Sequence, residues 1–384
     1  MNNLTLLAIA SKQIWPQVLA VLHLQPSKII LLHSDDESES GKPAQRLQRF
    51  FSKSNLSPGC DTFLEAIPHS GFSDMENRLD DIAALHHLNA GDCVVNFTGG
   101  NKLMATAAFQ WSTRRGMRAF YLERGNKITW FEPQGAEMKS RMEDLPTNGA
   151  NILDAADLLA CQLGEEVVQF KGELLTLNGK GQNADLGDLQ AKLQGVTRLD
   201  QNAFDFRKWL NVENPTHQMP KPGDNLEYGT ACALLRYSVP GVRRSVEIRT
   251  LPNSQNSEGE LDLVFNWGGR LWVVDCKDRV GSENKMESLK SAFLQGGIFH
   301  KQNQSLLENL AEDLRDRDIK ILREDLQQIA EVGGLLGCAL AVRSVSPPRQ
   351  AIEYAASRHP QVEVLLKSDL VKRLPAILAG RRPQ

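Results

Sequence analysis

Cys93-Val94-Val95-Asn96-Phe97-Thr98-Gly99-Gly100-Asn101-Lys102-Leu103-Met104 decides the reading of the first half of the chain. Cys93–Phe97 is a short, mostly apolar run of the kind a buried parallel strand needs. Thr98-Gly99-Gly100 breaks it, and a helix is expected over Asn101–Arg115. The same alternation runs outward. Leu4–Ala10, Lys28–His33 and Phe63–Ile67 predict strands, separated by helices over Gln13–Leu24, Ala44–Ser52 and Ser73–Leu88. Downstream, Arg118–Glu123 and Lys127–Phe131 predict a hairpin across Arg124-Gly125-Asn126. Repeated strand–helix alternation predicts an α/β, Rossmann-like parallel sheet covered on both faces. Residues 132–150 lose this periodicity and carry Pro133, Gly135, Pro146 and Gly149, so the first domain is expected to end near residue 145.

Thr98-Gly99-Gly100-Asn101-Lys102 puts backbone amides, a helix start and a lysine at the carboxyl edge of that sheet. Open α/β sheets bind ligands there, and the chemistry favours anions. Ser11 and Lys12 after the first strand and Ser34 after the second hold equivalent edge positions; each alone also reads as a helix cap. The first strand runs into Ala10-Ser11-Lys12-Gln13 rather than GxGxxG, and Gly-Lys-Ser/Thr does not follow the glycines. A dinucleotide enzyme and a P-loop NTPase are therefore disfavoured.

The 384 residues exceed one ordinary domain, and the second half carries its own pattern. Residues 146–205 are expected to form a linker and small connecting region, with a helix at Ile152–Gln162 and an exposed turn at Lys180–Asn183. Residues 206–384 are expected to form the second domain. After a loop from Pro215 to Pro222 come a helix at Leu226–Tyr237 and strands at Ser245–Thr250, Leu261–Asn266 and Leu271–Lys277. Helices are expected at Lys285–Leu294, Leu306–Asp316, Gln350–Ser357 and Lys367–Leu378, with strands at Gly337–Val342 and Val362–Leu366.

The densest chemistry lies in Gly259-Glu260-Leu261-Asp262 and, across Gly268-Gly269, Asp275-Cys276-Lys277. Two glycines between apolar strands suit a two-residue hairpin turn. Centring the turn on them sets Asp262 opposite Asp275 and Glu260 opposite Lys277, all on one face. Facing carboxylates repel unless a cation lies between them, and hard oxygen ligands suit Mg2+ or Mn2+. Lys277 is placed to orient a water or neutralise charge on a phosphate. The bland alternative is an exposed hairpin with a Glu260–Lys277 pair. Glu227 offers a further acid, or a first-turn glutamate favoured by the helix dipole. Arg243, Arg244 and Arg249 suit a nucleic-acid backbone or a solvated turn equally. Gln295 is a weak candidate for a substrate or water contact.

Composition narrows the class without naming it. Net charge is −3, and residues 1–150 hold 15 basic against 16 acidic residues, so no basic arm announces nucleic acid. The six cysteines are widely spaced, which excludes a CxxC zinc site and a disulfide framework and suits a reducing cytoplasm. The longest apolar runs, Leu4–Ala10 and Leu335–Val342, are too short to span a bilayer, and no basic n-region precedes the first; no membrane partner and no signal peptide are expected.

Glu227, Gly259-Glu260-Leu261-Asp262 and Asp275-Cys276-Lys277 together resemble the PD-(D/E)xK nuclease core. Asn96-Phe97-Thr98-Gly99-Gly100-Asn101-Lys102-Leu103-Met104 within its Rossmann-like unit resembles a CARF domain, the CRISPR-associated sensor of cyclic oligoadenylates. In this order the two resemble the CRISPR ancillary nucleases of type III systems, over nearly the whole chain. The resemblance implies an N-terminal CARF domain and a C-terminal α/β restriction-endonuclease-like domain. It implies a homodimer that binds a cyclic oligoadenylate, usually cyclic tetra-adenylate, across its two-fold axis. It further implies Mn2+- or Mg2+-dependent cleavage of RNA, DNA or both. Glu227, Asp262, Asp275 and Lys277 become the catalytic set; Glu227, Asp262, Asp275 and Cys276 become the metal set. The ligand set is Thr98, Gly99, Gly100, Asn101 and Lys102, with Ser11, Lys12 and Ser34. Asp275 stands where the family usually has Glu, which puts metal preference in question. Two rivals stay open: a ligand-responsive nucleic-acid-binding regulator with an inactive core, and a stand-alone restriction or repair endonuclease.

Overall fold

A computed structural model describes residues 3–35, 40–53, 56, 59–123, 127–134, 137–146, 150–151, 153–196, 203–215, 224–249, 258–278, 337–344 and 362–379, with isolated positions at 320, 332, 346–347, 349 and 352–353. The expected helices at 285–294, 306–316 and most of 350–357, Gln295 and nearly all of the 215–222 loop lie outside the described residues. The chain divides into two compact units. One comprises Met1–Leu153, Asp157–Glu166 and Gly268–Arg270; the other comprises Asp154–Ala156, Val167–Trp267 and Leu271–Gln384.

The first unit alternates β1 (Thr5–Ile9), α1 (Trp15–Leu24), β2 (Lys28–Ser34), α2 (Lys42–Lys53), β3 (Asp61–Ile67), α3 (Phe72–His86), β4 (Cys93–Asn96), α4 (Lys102–Arg114) and β5 (Arg118–Glu123). β6 (Lys127–Gln134) and β7 (Glu137–Asp144) complete a seven-stranded sheet in the order β3-β2-β1-β4-β5-β6-β7. β1 to β5 pair in parallel, whereas β6 and β7 turn back antiparallel. The strand order reverses between β1 and β4, so the loops after these two strands flank a topological switch point. Leu7, Ile9, Val95, Met104 and Trp111 pack in the core on one side of the sheet. β7 departs from the expectation that periodicity ends at 132. Its side chains are largely exposed, so no one-sided apolar pattern marks it.

In chain order come α5 (Ala155–Leu163), β8 (Val168–Phe170), β9 (Glu173–Leu177), α6 (Gly179–Gln182), α7 (Leu186–Gln194), β10 (Leu210–Glu213), α8 (Asp224–Arg236), β11 (Val242–Arg249), β12 (Glu258–Trp267), β13 (Arg270–Lys277), β14 (Cys338–Arg343) and β15 (Val362–Leu366). The second sheet runs β10-β9-β11-β12-β13-β14-β15, with β8 also paired to β11. Its β9–β13 portion is antiparallel where register is defined, while β13, β14 and β15 run parallel. Two strands of the sheet, β8 and β9, come from the stretch read as a connecting region. The Lys180–Asn183 turn is a single helical turn, with Asn178 accepting from Lys180 N and Gly181 N. α8 and the helix Leu370–Leu378 share a buried cluster with Leu263, Phe265, Trp272, Val274 and Cys276.

Candidate functional site

The hairpin takes the shape its glycines require. β12 ends at Trp267 and β13 starts at Arg270, leaving a two-residue turn. Gly268 and Gly269 have φ of 60° and 69°, the double left-handed conformation of a type I′ turn. Phe265 and Trp272 stack with ring centroids 5.6 Å apart, as opposed residues on one face. The alternate residues therefore share the other face, and there Asp262, Asp275 and Lys277 meet. Lys277 Nζ lies 2.6 Å from Asp275 Oδ1 and 3.6 Å from Asp262 Oδ2. Cys276 N donates to Asp262 Oδ2 at 2.6 Å, fixing that carboxylate against the neighbouring strand.

The electrostatics of the acids differ sharply. Burial, then the nearby Asp275 charge, pushes Asp262 up to about 6. Burial and the Asp262 charge push Glu227 up to about 8. Burial also disfavours charge on Asp275, yet Arg343 and Lys277 outweigh it and hold this carboxyl below its ordinary value. Arg343 Nη1 sits 2.6 Å from Asp275 Oδ2, so each oxygen of Asp275 faces a cation. Arg343 lies at the end of an apolar strand, beside Lys277 in the parallel register, and is only 8% exposed. A lone arginine closing a buried strand is the signal that points to it.

Three expectations change. Arg244 is not available to nucleic acid. It is 3% exposed and binds Glu227 Oε2 at 2.7 Å, Asp224 Oδ1 at 2.8 Å and Glu173 Oε2 at 3.0 Å. Its guanidinium also lies 4.5 Å from the Tyr228 ring centre. Arg243 pairs with Asp154 at 2.7 Å. Of the three, Arg249 is exposed. The Cys276 thiol lies 3.7 Å from Thr230 Oγ1 on the core side, and burial pushes its pKa well up. As a metal ligand Cys276 has only its main-chain oxygen to offer.

The edge of the first sheet is built differently from the sequence reading. Thr98 Oγ1 donates to Asn96 Oδ1 at 2.6 Å and accepts from Leu122 N at 2.8 Å, so its proton ties β4 to its own loop. Asn101 caps α4, accepting from Met104 N at 2.9 Å. A Cβ on Gly99 would fall 2.1 Å from Ile9 O, so the loop closes onto the end of β1 only with glycine there. Gly100 packs on the Ile9 side chain, whose Cγ2 would lie 2.6 Å from an added Cβ. Among the described residues, the Gly99 and Gly100 amides have no hydrogen-bond partner. Lys102, two residues beyond Gly100, is exposed, as is Lys12 in the loop after β1. Ser11 hydrogen-bonds around its own turn to Gln13. Ser34 is 1% exposed and its hydroxyl pairs with Ser40 at 3.0 Å, so it does not reach the surface of the edge. The edge thus offers amides and two lysines more than hydroxyls.

Does the hairpin suit a divalent cation? Among the described residues, no three His, Cys, Asp or Glu side chains are gathered as a ready-made cage. Asp262 and Asp275 are nonetheless hard oxygen donors on one part-buried face, and Lys277 now bridges them. Mg2+ needs only one or two carboxylates, keeping several waters and taking further oxygens from a phosphate substrate. The donors fit that mode, with Glu227 near enough to feel the Asp262 charge and the Cys276 carbonyl as a neutral donor.

Comparison with known proteins bears on the two units differently. Residues 5–145 match the family model described as the Card1 CARF domain. No curated protein sequence matches the chain. The fold is similar to that of Can2 from Sulfobacillus thermosulfidooxidans in complex with cyclic tetra-adenylate, at 15% identity and a TM-score of 0.55, covering 98% of this chain and 97% of that one. It is similar to protein VC1899 from Vibrio cholerae, at 13% identity and a TM-score of 0.59, with the same coverages of 98% and 97%. It also resembles a type III CRISPR defence DNA nuclease activated by cyclic oligoadenylate, at 19% identity and a TM-score of 0.54, covering 94% of this chain and 52% of that one. At such identities the likeness concerns the fold.

Proposed function

We propose that this chain is a cyclic oligoadenylate-activated, metal-dependent nuclease of type III CRISPR defence, acting as a homodimer on RNA, DNA or both. The observation that carries the reading is the face shared by Asp262, Asp275 and Lys277, with Lys277 2.6 Å from one carboxylate and 3.6 Å from the other. Two part-buried acids and a lysine on one hairpin face are costly for folding alone. The CARF match over residues 5–145 supports a nucleotide-sensing first unit. The fold likeness to Can2 supports cyclic tetra-adenylate as the activator.

Asp262 and Asp275 would hold Mn2+ or Mg2+, with Glu227 and the Cys276 carbonyl as neighbouring oxygens. When bound, such an ion lowers the pKa of a water and offsets charge on the phosphate. The rest falls to the chain. Lys277, a compact charge on a flexible stem, shifts from the carboxylates toward the phosphate and steadies its developing charge. Cys276 N holds Asp262 in place throughout. In the first unit, the Gly99 and Gly100 amides with Lys102 and Lys12 would bind phosphates of the ring; Thr98 and Asn101 shape the loop, while Ser11 and Ser34 shape the turns after β1 and β2.

The test is cleavage of RNA and DNA with and without each cyclic oligoadenylate, in Mg2+ and in Mn2+. Ligand-dependent cleavage by the wild type, lost in Asp275→Ala, is expected. Cleavage that ignores every ring favours a stand-alone endonuclease. Ring binding without cleavage favours a regulator.

A further inference from the structure

Asp275 presents its two oxygens to two cations of different character. Lys277 Nζ lies 2.6 Å from Oδ1, and Arg343 Nη1 lies 2.6 Å from Oδ2 as an ion pair rather than a directed hydrogen bond. Lys277 is the more exposed, with 27% of its side chain accessible against 9% for Arg343. Arg343 is also tied to the backbone. Its Nη1 donates to Asp275 O at 3.0 Å and Val342 O at 3.2 Å, joining β13 to β14 at the site. A cation shared by Asp262 and Asp275 would take the place Lys277 now occupies between them. Lys277 has the freedom to yield, whereas Arg343 is fixed by two main-chain carbonyls.

We infer that Arg343 is a positioning residue of the metal site, holding Asp275 by Oδ2 so that Oδ1 alone is presented to the ion. This rests on the metal-site reading given above. The chemistry divides the carboxylate: one oxygen belongs to the protein, the other to the cation. A ligating carboxylate held this way needs no reorientation when the ion arrives, and such outer partners commonly set metal affinity. Charge and position pull in opposite directions here. Removing a positive group beside a divalent ion should tighten binding if charge dominates. It should weaken binding if the guanidinium's work is to aim Asp275. With the guanidinium absent, Asp275 can turn both oxygens onto Lys277, and the lysine then competes with the ion for the carboxylate.

The experiment is calorimetric titration of Mn2+ into the full chain, without nucleic acid or cyclic nucleotide, alongside thermal melting. Wild type, Asp275→Ala, Arg343→Met and Arg343→Lys are compared. Arg343→Met should weaken Mn2+ binding about 10- to 100-fold. Arg343→Lys keeps the charge but loses the reach to both backbone carbonyls, so its affinity should fall between the two. It decides the matter alone should Arg343→Met fail to melt cooperatively. Wild-type or tighter affinity in a folded Arg343→Lys overturns the inference. If the wild type binds Mn2+ no better than Asp275→Ala, the metal reading itself is wrong and the inference falls with it.

Discussion

Glu227 and Asp262 are acids in the wrong solvent. Burial lifts Glu227 from 4.5 to about 8 and Asp262 from 3.8 to about 6. Between the unfolded and folded values the native chain holds protons that the unfolded chain has released. Stability is then full below the unfolded values and is lost as pH rises through the folded ones. The melting temperature should fall between about pH 4 and about pH 8. Glu227→Gln, which cannot ionise, should flatten the upper part of that fall and gain roughly 1–3 kcal/mol near pH 8. A Glu227→Gln melt that follows the wild type across this range would contradict the desolvation. Lys277→Ala should lose most of the cleavage rate while Mn2+ binding persists, because the lysine is no ligand; wild-type cleavage would make the hairpin a structural device. The three residues Asp262, Asp275 and Lys277 were legible from sequence because a two-residue turn fixes which side chains face each other. Arg244 and Arg343 were not. Their partners arrive from β9, α8 and β13, and nothing local in a sequence says which carboxylate a buried arginine will meet.

At the scale of elements, two glycine sites make opposite demands. Gly268 needs its positive φ but has open space around it, with no atom within 4 Å of an added Cβ. Asn tolerates the left-handed region, so Gly268→Asn should change stability by less than about 0.5 kcal/mol and leave cleavage intact. Gly99 is the reverse. Its Cβ would strike the Ile9 carbonyl at 2.1 Å, a backbone atom that cannot turn aside. Gly99→Ala should cost about 1–3 kcal/mol and weaken cyclic oligoadenylate binding as the loop lifts from β1. Denaturant melts of both variants check the pair, and equal losses would refute the close approach. The contrast explains what sequence shows at this scale. Strands buried on both faces, such as β1 and β4, announce themselves as apolar runs. β7 does not, since an exposed edge strand has no face to mark, and β8 and β9 are too short to show a period. Their placement depends on pairing with β11, which lies some seventy residues further along.

For the whole molecule the proposed function raises the question of what would hold a nuclease idle. An unrestrained nuclease harms its own cell, so the sensing unit should keep cleavage off until a ring-shaped ligand arrives. A symmetric ring suits a two-fold dimer, which meets each phosphate contact twice. A charge-assisted contact contributes roughly 1.5–3 kcal/mol. Moving a two-state protein from mostly off to mostly on takes about 5.5 kcal/mol of preferential binding, so two symmetric pairs of such contacts suffice. Lys102 follows the unpartnered Gly99 and Gly100 amides in sequence, is exposed and belongs to no ion pair among the described residues. Lys102→Ala should therefore raise the cyclic tetra-adenylate concentration for half-maximal cleavage by about a hundredfold or more, the loss of one such contact counted twice. The face proposed for cleavage is untouched, so saturating ligand should recover much of the rate. Titrating the ring against cleavage, with Mn2+ affinity measured in parallel, separates a sensing defect from a catalytic one. An unchanged half-maximal concentration would remove Lys102 from the ligand site and leave the amides to bind the ring without it.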